Sequence, residues 1–181
     1  RRDWGCAVKC ALIIPAWTPG ELFPASTAGS QINYWQPLGM LYIAACMLRA
    51  GHQVKFCDGG FMSHAQILRE VRAFNADFAG IYATAFGWNK AKNTAADLKR
   101  LDKNIFTCIG GPYPIAAQER CFANDVGAID AVVTGEGELT VCEMLERLEH
   151  GTSLEGVAGV VFRHKGKIIG NPPRPLIEAL D

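Results

Sequence analysis

Three groups of residues have types and spacing that suggest chemistry. Gly110-Gly111-Pro112-Tyr113-Pro114 closes an apolar run. Two adjacent glycines there let a bulky ligand approach the backbone with no Cβ in the way, and a tight strand-to-loop turn would use the same pair. Gly135-Glu136-Gly137-Glu138 stands between another apolar run and a helical pattern. Its glycines and the free N–H groups of a helix start could receive an oxygen-rich ligand. The carboxylates repel a phosphate, so they suit ligand hydroxyls or amides; acidic residues also favour a helix start through the macrodipole alone. The third group is a long loop carrying Trp17, Phe23, Tyr34 and Trp35, aromatics that can cover a flat ligand or pack on a neighbouring domain. Loops beyond about 12–15 residues are usually functional or disordered. Thr84 ends an apolar run and could face a crevice or simply cap. Asp58 suits the turn through Gly59-Gly60.

Several familiar sites are excluded. No G-x-x-x-x-G-K-[ST] phosphate loop is present, and the dinucleotide pattern G-x-G-x-x-G fails at Thr140. A phosphoacceptor receiver needs Asp where Thr84 stands and acidic residues where Pro15-Ala16 stand. Cys6-Ala-Val-Lys-Cys10 begins like an iron–sulfur C-x-x-x-C-x-x-C motif, but the third position is Ile13. No cysteine nucleophile with a paired His has a supporting signature.

The elements that must position these groups alternate along the chain. Strands are expected at Cys10–Pro15, His52–Asp58, Asp77–Thr84, Asn104–Ile109 and Ala128–Val133. Helices are expected at Pro37–Gly51, Ser63–Asn75, Lys90–Lys103, Ala116–Asn124 and from Gly135 through Glu149. Pro37 suits a first turn, Gly51 a helix stop and Ser63 an N-cap, with Ile67, Leu68, Val71 and Phe74 as an apolar stripe. Short strands alternating with helices imply right-handed crossovers and a parallel sheet. The expected fold is α/β: a doubly wound, flavodoxin/Rossmann-like five-stranded parallel sheet in the order 2-1-3-4-5, with the ligand crevice at the carboxyl ends of strands 1 and 3. Gly159–Ile169 reads as a β-hairpin, and Asn171–Asp181 as a Pro-rich linker. The expected division is a domain over 1–155 and a hairpin and linker over 156–181.

Composition sets the outer limits. With 49% hydrophobic and 20% charged residues the chain can bury a proper core, and a formal net charge of zero argues against a nucleic-acid surface. No charge-free apolar run reaches about 18 residues, so no membrane span is expected. Seven widely spaced cysteines without a secretory signal suit reduced thiols and a cytoplasmic location. The absence of an initial Met suits a fragment or processed product.

Taken in order, the landmarks resemble the N-terminal cobalamin-binding domain of B12-dependent radical SAM enzymes. They are Pro37-Leu38-Gly39, Ala50-Gly51-His52-Gln53-Val54, Asp58, Gly110-Gly111-Pro112, Gly135-Glu136-Gly137-Glu138 and the tail Asn171-Pro172-Pro173-Arg174-Pro175-Leu176-Ile177-Glu178. The resemblance covers nearly the whole chain from about Cys10. It implies cobalamin with its dimethylbenzimidazole tail inserted beside the sheet and its corrin over the carboxyl edge. The corrin would face a radical SAM barrel of the same polypeptide, which carries a [4Fe-4S] cluster and binds S-adenosylmethionine. By the same resemblance, Pro37 and Leu38 flank the corrin, Thr84 and the Gly110-Gly111 pair line the tail's channel, and Pro112 and Tyr113 belong to the cofactor-binding residues. Thr134, Gly135, Glu136 and Gly137 border the nucleotide loop. The domain alone is not catalytic, and it is expected to bind no metal ion of its own; its parent would be a methyltransferase or cyclase. The competing readings are a flavodoxin-like domain for flavin or another nucleotide, and a cobalamin-sensing interaction module. One departure stands out. Methionine-synthase-like cobalamin domains supply a lower-ligand His from D-x-H-x-x-G, and no His follows strand 1 here. Base-off binding without His ligation is therefore expected, with His64 an ordinary helix-start residue.

Overall fold

The structure, a computed structural model, describes residues 7–22, 24–28, 36–125 and 127–178. Five apolar runs form parallel strands: β1 (Lys9–Ile14), β2 (Gln53–Asp58), β3 (Phe78–Tyr82), β4 (Phe106–Gly110) and β5 (Ala131–Val133). They lie in the order β2-β1-β3-β4-β5, as the alternation of elements predicts. Each of β2 to β5 is reached through a helix crossing over one face.

Strand count departs from expectation. The hairpin strands β6 (Val160–His164) and β7 (Lys167–Gly170) pair antiparallel beyond β5, so one sheet has seven strands where five and a separate hairpin were expected. The physical reason is the edge of β5. Without β6 its N–H and C=O groups would be unpaired. Val160 and Phe162 continue the apolar face begun by Ala131 and Val133. Arg163 fastens the addition, donating to Asp125 Oδ2 at 2.7 Å and, through its backbone N–H, to the Asp130 carbonyl at 2.7 Å.

The two sides of the sheet bury two cores, because successive strand residues point to opposite faces. Leu12, Phe78, Cys108 and Val133 face one side, where α3 (Leu38–Arg49) and α7 (Gly137–Glu149) cover them with Met40, Met47, Val141 and Met144. Ala11, Ile13, Ile81 and Ile109 face the other, under α4 (His64–Phe74), α5 (Trp88–Leu101) and α6 (Pro112–Ala117). Helix α4 starts as its sequence predicts. Ser63 Oγ accepts from Gln66 N while Gln66 Oε1 accepts from Ser63 N at 2.8 Å, a complete capping box. The helix expected at 116–124 instead begins at Pro112 and gives way to a 3-10 turn, Gln118–Phe122. Proline's fixed φ and missing N–H make it a natural first helical residue. In the long loop after β1 lie two short helices, α1 (Pro19–Leu22) and α2 (Ala25–Ala28).

Candidate functional site

Where α3 and α7 begin, they leave a cavity of about 720 Å³ against the carboxyl ends of the strands. Side chains of Leu12, Ile14, Tyr82, Cys108 and Val133 make its apolar floor, with glycine at Gly80 and Gly110. Met40, Ile43 and Val141 of the two helices form the roof. The space is open beside Gly110, at the end of β4, and beside Gly135, after β5. A Cβ on Gly110 would meet only Val133 Cβ, at 3.9 Å, and one on Gly135 would meet nothing within 4 Å. Cys108 is a wall and not a reactive thiolate, since burial, then the Asp130 charge, pushes its thiol up to about 12.

Of the residues singled out in the sequence, Pro37, Leu38, Gly110, Gly111, Gly135, Glu136 and Gly137 come together on this cavity. Thr84, Pro112, Tyr113 and Thr134 do not line it. Thr84 Oγ1 accepts from Gly87 N at 3.1 Å, holding the turn into α5. Pro112 opens α6. Tyr113 stacks on Trp88 with ring centroids 4.5 Å apart, on the opposite side of the sheet. The Thr134 backbone N–H donates to the Gly159 carbonyl at 2.9 Å. Phe23, Tyr34 and Trp35 of the aromatic loop lie outside the described residues, as does Cys6, whereas Trp17 lines the cavity.

Two of the glycines serve the scaffold as well. Gly111 has φ +109°, and a Cβ there would stand 2.8 Å from the Ala83 carbonyl oxygen. Gly137 lets α3 approach α7: its Cβ would meet Ile43 Cδ1 at 2.7 Å. Gly80 escaped the sequence reading. A glycine inside a strand marks close approach of another group, and that signal was present in Phe78-Ala79-Gly80-Ile81.

The polar atoms of the cavity are few. Glu136 Oε2 is used internally, accepting from the backbone N–H of Ile177 at 2.7 Å. Glu138 lines the cavity, and its Oε2 is buried with no hydrogen-bond partner among the described residues. Neither α3 nor α7 has a side-chain cap at its N-terminus. None of the four histidines lines the cavity; His64 heads α4 on the far side, its Nε2 2.8 Å from Asp97 Oδ2. Each parallel strand is followed by an exposed large apolar residue, Leu38, Phe61, Phe86, Ile115 and Leu139 in turn, of which Leu38 and Ile115 line the cavity.

The sequence pattern of the B12 binding domain matches residues 28–145, from the last residue of α2 into α7. The chain belongs to the B12-binding domain family. This B12-binding domain is 37% identical to an uncharacterized methyltransferase of Pyrococcus horikoshii over 80% of its own length and 32% of the relative's. It is 30% identical to the anaerobic magnesium-protoporphyrin IX monomethyl ester cyclase of a Synechocystis strain, covering 87% of the domain and 33% of the cyclase. It thus spans about a third of the length of these curated relatives. Its fold matches the radical S-adenosylmethionine methyltransferase TsrM from Kitasatospora setae, solved with cobalamin and a [4Fe-4S] cluster bound. The TM-score is 0.71 at 16% identity, covering 96% of this chain and 30% of that one.

The B12-binding domain has residues that fit cobalamin. The open space beside Gly110 gives a bulky group access to the sheet, whereas the place of a side chain at Gly80 is taken by Leu12 and Phe78. The partnerless oxygen of Glu138 is an acceptor waiting for a donor, and a buried acceptor left unpaired costs about 1–3 kcal/mol. Cobalamin carries amide and hydroxyl donors around its corrin and nucleotide.

Proposed function

We propose that this domain holds cobalamin base-off, with the nucleotide tail in the cavity between the sheet and helices α3 and α7. The observation that carries the proposal is the space of about 720 Å³ at the carboxyl edge, open beside Gly110 and Gly135. Gly80, Gly110 and Gly111 would border the tail, Gly135 and Gly137 the nucleotide loop, and Pro37 and Leu38 the corrin. The start of α3, which has no side-chain cap and no acidic residue in its first turn, turns the positive end of its dipole to the cavity, which suits the phosphate of the tail. Glu138 would accept from an amide or hydroxyl. Since no histidine lines the cavity, this chain would offer no imidazole to cobalt. Bound cobalamin would supply cobalt-centred group-transfer chemistry, and the domain's share would be to hold, orient and shield it.

The parent would be a cobalamin-dependent radical SAM enzyme, a methyltransferase or cyclase. Its barrel, carrying a [4Fe-4S] cluster and S-adenosylmethionine, would close over the apolar crown of Leu38, Phe61, Phe86, Ile115 and Leu139. The names of the relatives and the exposure of that crown support this reading. The described cysteines are all free thiols, which supports a reducing, cytoplasmic setting. Zero net charge supports a partner set without nucleic acid. Among the described residues no helix is long and apolar enough to cross a membrane.

The test is direct. The protein mixed with hydroxocobalamin and desalted should stay pink while flavin washes out. The cobalt(II) form should give an EPR spectrum without coupling to a protein nitrogen. Colourless protein after desalting, or a His-nitrogen splitting, would reject the corresponding half of the proposal.

A further inference from the structure

We infer that Lys90 is a positioning residue, holding Trp17 in place as a wall of the cobalamin cavity from the opposite side of the sheet. The inference rests on the reading of that cavity given above. Lys90 belongs to α5, which packs on the face away from the cavity. Its ammonium reaches past the end of β1 and donates to the Ala16 carbonyl at 2.8 Å and to Glu21 Oε2 at 2.6 Å. These acceptors flank Trp17 in sequence. Glu21 Oε2 also accepts from the Thr18 N–H at 2.7 Å, so the ammonium, the start of α1 and the residues beside Trp17 form one knot.

Trp17 occupies a partition. It lines the cobalamin cavity on one side and, on the other, a second cavity of about 660 Å³ that Lys90 itself lines. Little else fixes it. Its backbone N–H donates to the Gly59 carbonyl at 3.3 Å, and α1 is a single four-residue turn. A helix that short has no stability of its own in water. The loop does sit hard against the turn after β2, since a Cβ on Gly59 would come within 2.4 Å of Ala16 backbone atoms. That contact fixes Ala16 but not the indole. A bare exposed Lys–Glu pair contributes little. Here one of the two bonds goes to the main chain next to Trp17, so losing the ammonium releases the backbone that carries the indole.

The experiment compares Lys90→Met, Lys90→Arg, Trp17→Ala and the double variant Lys90→Met/Trp17→Ala by two readouts. In the cobalamin-free protein, Lys90→Met should speed amide exchange across residues 17–22 by about tenfold and leave β1 and α5 as in the wild type, while Lys90→Arg stays within about threefold of wild type. In the protein loaded with hydroxocobalamin, Lys90→Met and Trp17→Ala should each speed cobalamin release, and the double variant should release no faster than Trp17→Ala alone. Unchanged exchange across residues 17–22 in Lys90→Met overturns the inference. Multiplying release rates in the double variant would also do so, because Lys90 would then act by another route. A wild-type protein that retains no hydroxocobalamin overturns the reading of the cavity instead, while the exchange readout still decides whether Lys90 holds the loop.

Discussion

Gly110 and Gly111 are chemically identical neighbours with opposite duties. A side chain at Gly110 would project into open cavity space, with Val133 Cβ its only close neighbour at 3.9 Å. Gly111 is bound by its own backbone, at φ +109° with the Ala83 carbonyl oxygen 2.8 Å from any Cβ. Gly110→Val should therefore fold, since a β-branched residue suits a strand, and it should fill the cavity and abolish retention of hydroxocobalamin. Gly111→Ala should cost about 3 kcal/mol of stability through strain and the backbone clash. Denaturation midpoints and cobalamin retention, measured on both variants, separate the two roles. A Gly110→Val protein that still turns pink would mean the tail does not use this space. The same contrast explains why residue types alone mislead: Tyr113 neighbours this pair in sequence but stacks on Trp88 across the sheet.

At the scale of elements, the Pro-rich tail shows what an extended segment needs in order to stay in place. Residues 171–177 form neither helix nor strand. They are tied to α7 and the preceding turn by named bonds. Arg174 Nε donates to Thr140 Oγ1 at 2.8 Å, its guanidinium pairs with Glu143, and the Gly159 N–H donates to the Pro172 carbonyl at 2.7 Å. Ile177 N reaches Glu136 at the mouth of the cavity, which couples the tail to the site. Arg174→Ala should free this segment to limited proteolysis between Asn171 and Glu178 and lower stability by about 1–2 kcal/mol, because Thr140 and Glu143 lose a charged donor. Equal protease resistance in wild type and variant would show that the prolines alone hold the tail. Helices were legible here through their punctuation. Ser63, a good N-cap, marks the start of α4 in the sequence, whereas Pro112 serves a ligand turn and a helix start equally well, so the start of α6 is not legible there.

For the whole molecule, a cofactor held against both the sheet and two helices links binding to folding. A ligand bound only by the folded state, at about 100 times its dissociation constant, adds about 2.7 kcal/mol. For a chain of this length that corresponds to a rise in melting temperature of about 5–10 °C, growing with cobalamin concentration. Thermal unfolding followed by circular dichroism at several hydroxocobalamin concentrations checks this. A melting temperature indifferent to the ligand would place binding outside the folded core.

The order of apolar runs, glycines and helix starts determined the parallel strand order and the gathering of Pro37, Leu38, Gly110, Gly111, Gly135, Glu136 and Gly137 at one edge. It could do so because parallel β–α units permit one handedness and place every strand-to-helix loop at the same end. Only the tertiary structure decided which face of the sheet holds the cavity, since side-chain direction alternates residue by residue and a loop can turn either way. For that reason Thr84 and Tyr113 lie away from the cavity, and Gly80, in mid-strand, lines it. The same holds for the hairpin, whose pairing with β5 depends on an edge more than 25 residues earlier in sequence, a relation no local pattern records.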